Sequence, residues 1–507
     1  MISLQIHVKG LEDERFVRPL QLITNLFFED GVISFSHLQS DETVIEFHME
    51  ISDHVYVFGT LQSQDENRYS AECTNKFPKN ETEKEQMKII KNTVSHVYLQ
   101  LLEEWTGIIQ EWGILTGVRP TKLLHKHLRQ GAPNEEVHQR LRDVYSISDE
   151  KISLMQEIVD RQLEVIPDLY SLKSEVSIYI GIPFCPTKCA YCTFPAYAIN
   201  GRQGSVNSFL GGLHYEMRKI GEWLKENNVK ITTIYFGGGT PTSISAEEMD
   251  SLYEEMVASF PNIESVREVT VEAGRPDTIT PEKLSILKKW HIDRISINPQ
   301  SFIQETLKAI GRHHTVEETI NKFNLARSAG MNNINMDLIL GLPGEGSEEL
   351  SYSLQETEKL MPESLTVHTL SFKRASEMTK NKQKYKVANR DEVAKMMSLA
   401  KQWTKDHNYA PYYLYRQKNI LGNMENIGYA LQGHESIYNI LIMEEQQSII
   451  GLGCGAASKF IHPKTGKITH FANPKDPKTY NESFEAYVEK KIHILNELFE
   501  INQALTE

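Results

Sequence analysis

The chain opens on MISLQIHVKG, where apolar and polar positions alternate with the period of a strand. Over the first 110 or so residues, 3–9, 32–37, 44–51 and 54–62 read as strands. Residues 14–28 and 81–109 read as helices, one between the first two strands and one at the end. That order predicts a small α+β domain over 1–118. Residues 119–170 read as a helical connector. Neither segment holds a chemical motif, so both are expected to cover or support a site rather than to form one.

From residue 171 the pattern becomes strand–helix repeats. Strands are predicted at 177–184, 232–237, 268–273, 294–298, 333–340 and 365–372, each followed by a helix signal. Ser245 with Glu248 and Thr315 with Glu318 have the spacing of capping boxes. Thr280-Pro281 puts proline at a first helical position, and Gly330 stands where a helix end needs a left-handed residue. Six βα units predict an α/β fold: a parallel sheet curled into a partial (β/α)6 barrel over 171–404. Its chemistry is expected at the C-terminal edge of the strands. Residues 405–507 lose the repeat and read as a C-terminal α/β extension.

Composition narrows the class. Of 507 residues, 40% are hydrophobic and 24% charged, as in soluble globular proteins. A net charge of −14 argues against broad nucleic-acid binding, which needs basic patches. The N-terminus lacks the basic and apolar regions of a signal peptide, and no apolar stretch approaches the roughly 20 residues of a membrane span. A cytoplasmic location is expected, with neither membrane nor nucleic-acid partner. The five cysteines are an odd set and three lie close together, unlike a secreted disulfide framework.

Those three sit in residues 179–197, YIGIPFCPTKCAYCTFPAY, as Cys185-x3-Cys189-x2-Cys192 at the end of the first barrel strand. Thiolates suit iron–sulfur clusters. Three of them on a cubane leave one iron without a protein ligand, open to the amino and carboxylate groups of S-adenosylmethionine (SAM). A structural zinc would need a fourth ligand and usually a second Cys-x2-Cys. A thioredoxin-type pair, Cys189 and Cys192, leaves Cys185 unexplained. Residues 234–241, IYFGGGTP, run a strand into a triple-glycine turn whose backbone can approach a ligand closely. Glu272, Gln300 and Asp337 lie on or at the ends of later barrel strands, and Arg312 lies 12 residues beyond Gln300.

The cysteine loop resembles the signature of the radical SAM superfamily. With YIGIPFC, GGGTP and the late GLGCGAAS, the chain is similar to the oxygen-independent coproporphyrinogen III oxidase (dehydrogenase) family, and especially its HemZ-type branch with a long N-terminal extension. The resemblance covers about residues 173–470. It implies a [4Fe–4S] cluster on Cys185, Cys189 and Cys192, and SAM held by Tyr179, Tyr191, Gly238, Gly239, Thr240, Glu272, Gln300, Arg312, Asp337, Ser371 and Ala457. Tyr179 and Glu272 are the catalytic candidates among them. It implies oxidative decarboxylation of coproporphyrinogen III propionates to vinyl groups, giving protoporphyrinogen IX. A tetrapyrrole substrate, an electron donor such as flavodoxin or ferredoxin, and action as a monomer go with it. Phe194 stands where the best-known branch has a fourth cysteine, one that does not hold the cluster. A sister branch with three cysteines is a heme chaperone, so heme handling, or radical chemistry on another substrate, remains the alternative. Residues 412–430, YYLYRQKNILGNMENIGYA, look like the HemZ branch.

Four propionates call for cationic groups, because the arginine fork binds both carboxylate oxygens. Arg275, Lys373, Arg374, Arg416 and Lys418 are the substrate candidates, with Arg416 first among them. One motif misleads. Gly451-x-Gly453-x-x-Ala456 mimics a dinucleotide fingerprint, but the turn-forming sequence 462–466 leaves little room for the helix that fingerprint opens. Cys454, inside it, and Cys73 are expected to be inert packed side chains.

Overall fold

In the computed structural model, which describes residues 4–28, 30–35, 43–78, 82–199, 205–373 and 376–500, the alternating N-terminal segments pair into a five-stranded sheet. The chain divides into two units, Met1–Glu157 and Ile158–Glu507, and the boundary falls within the helix Asp149–Val165. The first unit holds β1 (Gln5–Lys9), β2 (Val32–Ser34), β3 (Thr43–Ile51), β4 (His54–Gln62) and β5 (Arg68–Lys76) in the order β2-β1-β3-β4-β5. β1 runs parallel to β2 and β3, and β3–β4–β5 is an antiparallel meander. Helices Val17–Phe27 and Glu83–Thr106 bury one face of it, packing Leu20, Ile23, Val94 and Val97 on Ile45, Phe47, Val55 and Val57. The longer helix starts on a complete Thr82–Glu85 capping box and ends on Gly107 at φ 70°.

β5 was not expected from sequence. Its residues RYSAECTNK contain no apolar run; Tyr69, Ala71 and Cys73 turn toward the core, and Asn75 on the same face bonds Thr93 of the longer helix. The expected strand 32–37 is seen over Val32–Ser34; its last two positions lie outside the described residues. The connector forms the helices Thr121–Leu128, Asn134–Tyr145 and Asp149–Val165.

The second unit is built on the predicted barrel. Its parallel strands are β6 (Val176–Ile182), β9 (Ile231–Gly238), β10 (Glu268–Val271), β11 (Arg294–Ser296), β12 (Ile334–Leu340) and β13 (Ser364–Thr369). Between β6 and β9 lies a two-strand bridge, β7 (Phe184–Cys185) with β8 (Tyr197–Ala198). Helices alternate with the barrel strands. The Ser245 capping box is complete, whereas at Thr315 only the hydroxyl half forms. Gly330 takes φ 85° just past its helix.

The C-terminal segment extends this sheet at both edges. β14 (Ala410–Tyr415) and β15 (Asn426–Ala430) add to β13 antiparallel. β16 (Ser448–Gly453) lies parallel to β6, and β17 (Ala457–Ile461) and β18 (Ile468–Ala472) continue beyond it antiparallel. The glycine run of β16 therefore turns back into a strand and opens no helix.

Alternation along the barrel strands puts Ile178, Ile234, Val271, Ile295, Met336 and Val367 on one buried face. Tyr179, Tyr235, Glu272, Ser296, Asp337 and His368 take the other. Ring stacks and hydrogen bonds cross between strands on this second face, which makes it the lumen. A (β/α)8 barrel usually fills that space with branched aliphatics; here it is polar.

Candidate functional site at the barrel mouth

The cysteine loop leaves β6 and is pinned from several sides. Gly239 donates its N–H to Ile182 O at 2.8 Å, and Thr240 donates to Phe184 O at 2.7 Å. The Thr240 hydroxyl lies 3.3 Å from Cys185 Sγ. A Cβ on Gly239 would stand 2.5 Å from Phe184 O, so this glycine is required by the approach of the glycine turn to the cysteine loop. Ala190 N–H bonds Ile310 O at 2.9 Å, and Thr187 Oγ1 bonds Gly311 O at 3.1 Å. Gly238 sits at φ 109°.

All three cysteines are half-buried. Burial raises Cys185 to about 11, with the Thr240 contact opposing, and each of Cys189 and Cys192 lies near enough to add to the rise. Metal binding must displace such protons. Among the described residues, no three His, Cys, Asp or Glu side chains converge as ligands of a single ion. A cluster gives each thiolate its own iron and does not need that convergence.

Above the lumen, Arg312 is 5% exposed and donates to Asn298 O at 2.6 Å and Gly274 O at 3.4 Å; Cys189 and Tyr191 also lie within hydrogen-bonding reach. Gln300 holds φ 67°, a sparsely populated conformation for a side-chain-bearing residue. The position is over-determined, because its N–H bonds Asp337 O and its carbonyl accepts from Ile339. Arg312 Nε, Asn298 Oδ1, Gln300 Oε1, Ser296 Oγ and Thr270 Oγ1 are all buried with no partner. Buried polar atoms are ordinarily satisfied, so these orphans fit a polar ligand such as SAM in the lumen.

Tyr235 donates a short hydrogen bond to Glu272. Its ring stacks on Tyr438 at 4.3 Å and on Tyr179 at 6.1 Å. Burial raises Glu272 to about 7; the Tyr235 bond opposes the rise and Asp337 adds to it. Burial would raise Asp337 too, but His368 and Asn335 together hold it below the usual carboxylate range. The Tyr438 helix, Ile437–Glu444, is anchored by Glu268, which accepts from Ser436 Oγ and from the N–H groups of Ile437 and Tyr438.

The other expected residues scatter. Ser371 donates to Lys418 O at 2.8 Å. Ala457 opens β17, where its backbone faces Gly451 closely. Arg275 is 3% exposed and is engaged with Asp277 and Thr187, so it braces the cysteine loop. Arg416 is buried against Asn423; burial lowers it to about 10, with Glu425 opposing. Lys373 is half-buried near Cys192, Lys418 is exposed, and Arg374 lies outside the described residues. Cys454 is 3% exposed and pushed up to about 12 by burial, and Cys73 is half-buried and also raised by burial; both fit inert packing.

No motif marks Tyr235, His368 or Tyr438. Alternation along β9 and β13 points the first two into the lumen; nothing local points Tyr438 there, because it arrives from a helix about 200 residues later.

Residues 179–356 match the family described as the radical SAM superfamily. The chain is 66% identical to the oxygen-independent coproporphyrinogen-III oxidase-like protein HemZ of Bacillus subtilis, over 98% of this chain and 99% of that protein. It is 30% identical to the heme chaperone HemW of the same organism, over 62% of this chain and 80% of that one. The crystal structure of Escherichia coli HemN, a coproporphyrinogen III oxidase described as a radical SAM enzyme, superimposes with a TM-score of 0.50 at 19% identity. That match covers 64% of this chain and 73% of HemN and reflects the shared fold.

Proposed function

Because the chain belongs to the radical SAM superfamily, in the HemZ-type branch of the coproporphyrinogen-III oxidase-like proteins, we propose that it decarboxylates propionates of coproporphyrinogen III oxidatively, without oxygen. The family uses a [4Fe–4S] cluster and SAM, which when bound supply a 5′-deoxyadenosyl radical able to take hydrogen from unactivated carbon. A propionate that loses a hydrogen atom at its β-carbon, then carbon dioxide and one electron, becomes a vinyl group. The electron passes to a one-electron acceptor, and two such reactions give protoporphyrinogen IX. The observation that carries the reading is that the three-cysteine loop and the unpaired polar atoms of the lumen meet at one end of the same barrel.

Cys185, Cys189 and Cys192 would hold three irons and leave the fourth open. Arg312 would take the SAM carboxylate by a charge-assisted bond. Gly238, Gly239 and Thr240 would face its ammonium, and Glu272 its ammonium or ribose. Tyr179, Tyr191, Gln300, Asp337, Ser371 and Ala457 complete the proposed set. The buried lumen would keep water from the reactive carbon, which is the protein's share of such chemistry. Among the substrate candidates, Lys373 and Lys418 remain better suited to propionates than Arg275 or Arg416, whose guanidiniums are already engaged. A flavodoxin or ferredoxin would supply the electron. No described helix is long and apolar enough to cross a membrane.

The test is anaerobic turnover of coproporphyrinogen III with SAM and a reductant, read by mass spectrometry. SAM-dependent loss of two carbon dioxide units supports the reading. Tight heme binding with no vinyl product would replace it with the chaperone function of the HemW relatives.

A further inference from the structure

The glycine run 451–455 crowds the base of the cysteine loop. A Cβ on Gly453 would stand 2.3 Å from Gly181 O, and one on Gly455 would stand 2.7 Å from Pro195 Cγ. Gly181 precedes Cys185 and Pro195 follows Cys192, so the run touches both limbs of the cysteine segment. Gly453 takes φ 85°, which ends regular pairing and leaves buried backbone groups in need of partners.

Those partners come from a buried ion pair. Lys491, on the C-terminal helix Pro477–Leu498, and Glu216, on the helix Val206–Glu226, have side chains 0% exposed, with Nζ and Oε1 2.8 Å apart. Lys491 Nζ also donates to Gly451 O at 2.6 Å. Glu216 Oε2 accepts from Gly453 N–H at 2.5 Å and from the Tyr480 hydroxyl at 2.7 Å. Asn473 Nδ2 bonds Glu216 Oε1 at 3.0 Å and Gly453 O at 2.9 Å. Two apolar side chains could fill this space, and such replacements are often neutral or stabilising. They could not reach the carbonyl of Gly451 or the N–H of Gly453.

We infer that Lys491 and Glu216 are positioning residues for the SAM wall: they bind the glycine run in the shape that seats it against the cysteine loop. This rests on the proposed place of Ala457, whose backbone packs on Gly451 of the run, in the SAM site. It assigns the C-terminal helix a part in cofactor binding although none of its side chains is a cofactor contact.

The experiment uses the full-length protein with its cluster reconstituted anaerobically. Lys491→Met alone leaves Glu216 buried and unpaired and should destabilise the fold. The double variant Glu216→Met/Lys491→Met leaves no unpaired charge and should recover stability. If the pair positions the glycine run, the double variant still binds SAM at least about tenfold more weakly by calorimetry. Its reduced-cluster electron paramagnetic resonance spectrum should no longer shift on SAM addition as the wild type's does, while its iron content stays the same. A double variant with wild-type SAM affinity and spectral shift overturns the inference and leaves a purely structural pair. Should the double variant not fold, Asn473→Ala removes the contact to Gly453 O together with the two bonds that steady the Glu216 carboxylate, and unchanged SAM affinity there counts against it. A wild-type protein that holds its cluster but does not bind SAM overturns the SAM-site reading itself, and this inference with it.

Discussion

The N-terminal sheet and the barrel use the same period-two alternation to opposite ends. In β3 and β4, Ile45, Phe47, Val55 and Val57 face the helices, and Glu46, His48 and Glu50 face solvent. In the barrel, the aliphatic residues again form one buried face, but the polar alternates close around a lumen. There Thr270, Ser296, Asn298 and Gln300 keep buried atoms that no protein group satisfies. The polar half of the pattern is incidental in the first sheet, since water serves any side chain. In the barrel it is a demand for a ligand. Parallel strands usually read as continuous apolar runs because both of their faces are buried. Polar residues at alternate positions of a buried parallel sheet therefore mark an interior built for polar cargo.

The contrast breaks most sharply at cysteine. Cys185→Ala, Cys189→Ala or Cys192→Ala should abolish the iron–sulfur absorbance or leave a defective cluster, and Cys73→Ala on β5 should leave it intact; an intact spectrum in Cys185→Ala would dismantle the ligand assignment. A leucine in the lumen comes next. Thr270→Leu should cost about 1–3 kcal/mol by overpacking and weaken SAM binding, as denaturant unfolding and calorimetry would report.

Glu272 gives a smaller effect, with a sign. Its folded-state value of about 7 lies above the ordinary 4.5, so the native state holds a proton that the unfolded chain has released. Its contribution to the stability of the SAM-free protein should therefore be fully present below about pH 4.5 and be lost as pH rises toward 7, by at most about 1.4 kcal/mol per pH unit. Glu272→Gln should flatten that part of the profile; an unchanged slope would mean that another group causes it. The smallest effect belongs to the solvent face of the first sheet. Ser70→Val on β5 should stay within about 0.5 kcal/mol, and a loss as large as that of Thr270→Leu would mean that this face too is covered.

Local chemistry made the barrel legible. Six strand–helix repeats, proline and glycine at helix ends, and a cysteine spacing that lies within one loop are short-range features, and the structure keeps all six strands. The same is true of Gln300 and Asp337, which meet through their backbones because one follows a barrel strand and the other occupies one. Tertiary structure alone decided the rest. β5 is a strand because β4 offers it an edge, not because RYSAECTNK favours one. Arg275 is drawn into the fold by Thr187, 88 residues away, as well as by nearby Asp277, and Arg416 by Asn423 across a loop whose turn the sequence does not specify. Tyr438 reaches Tyr235, and Lys491 reaches Glu216, across about 200 and 275 residues of chain. Such pairings depend on how the sheet curls and which helices pack on it, which no local pattern records.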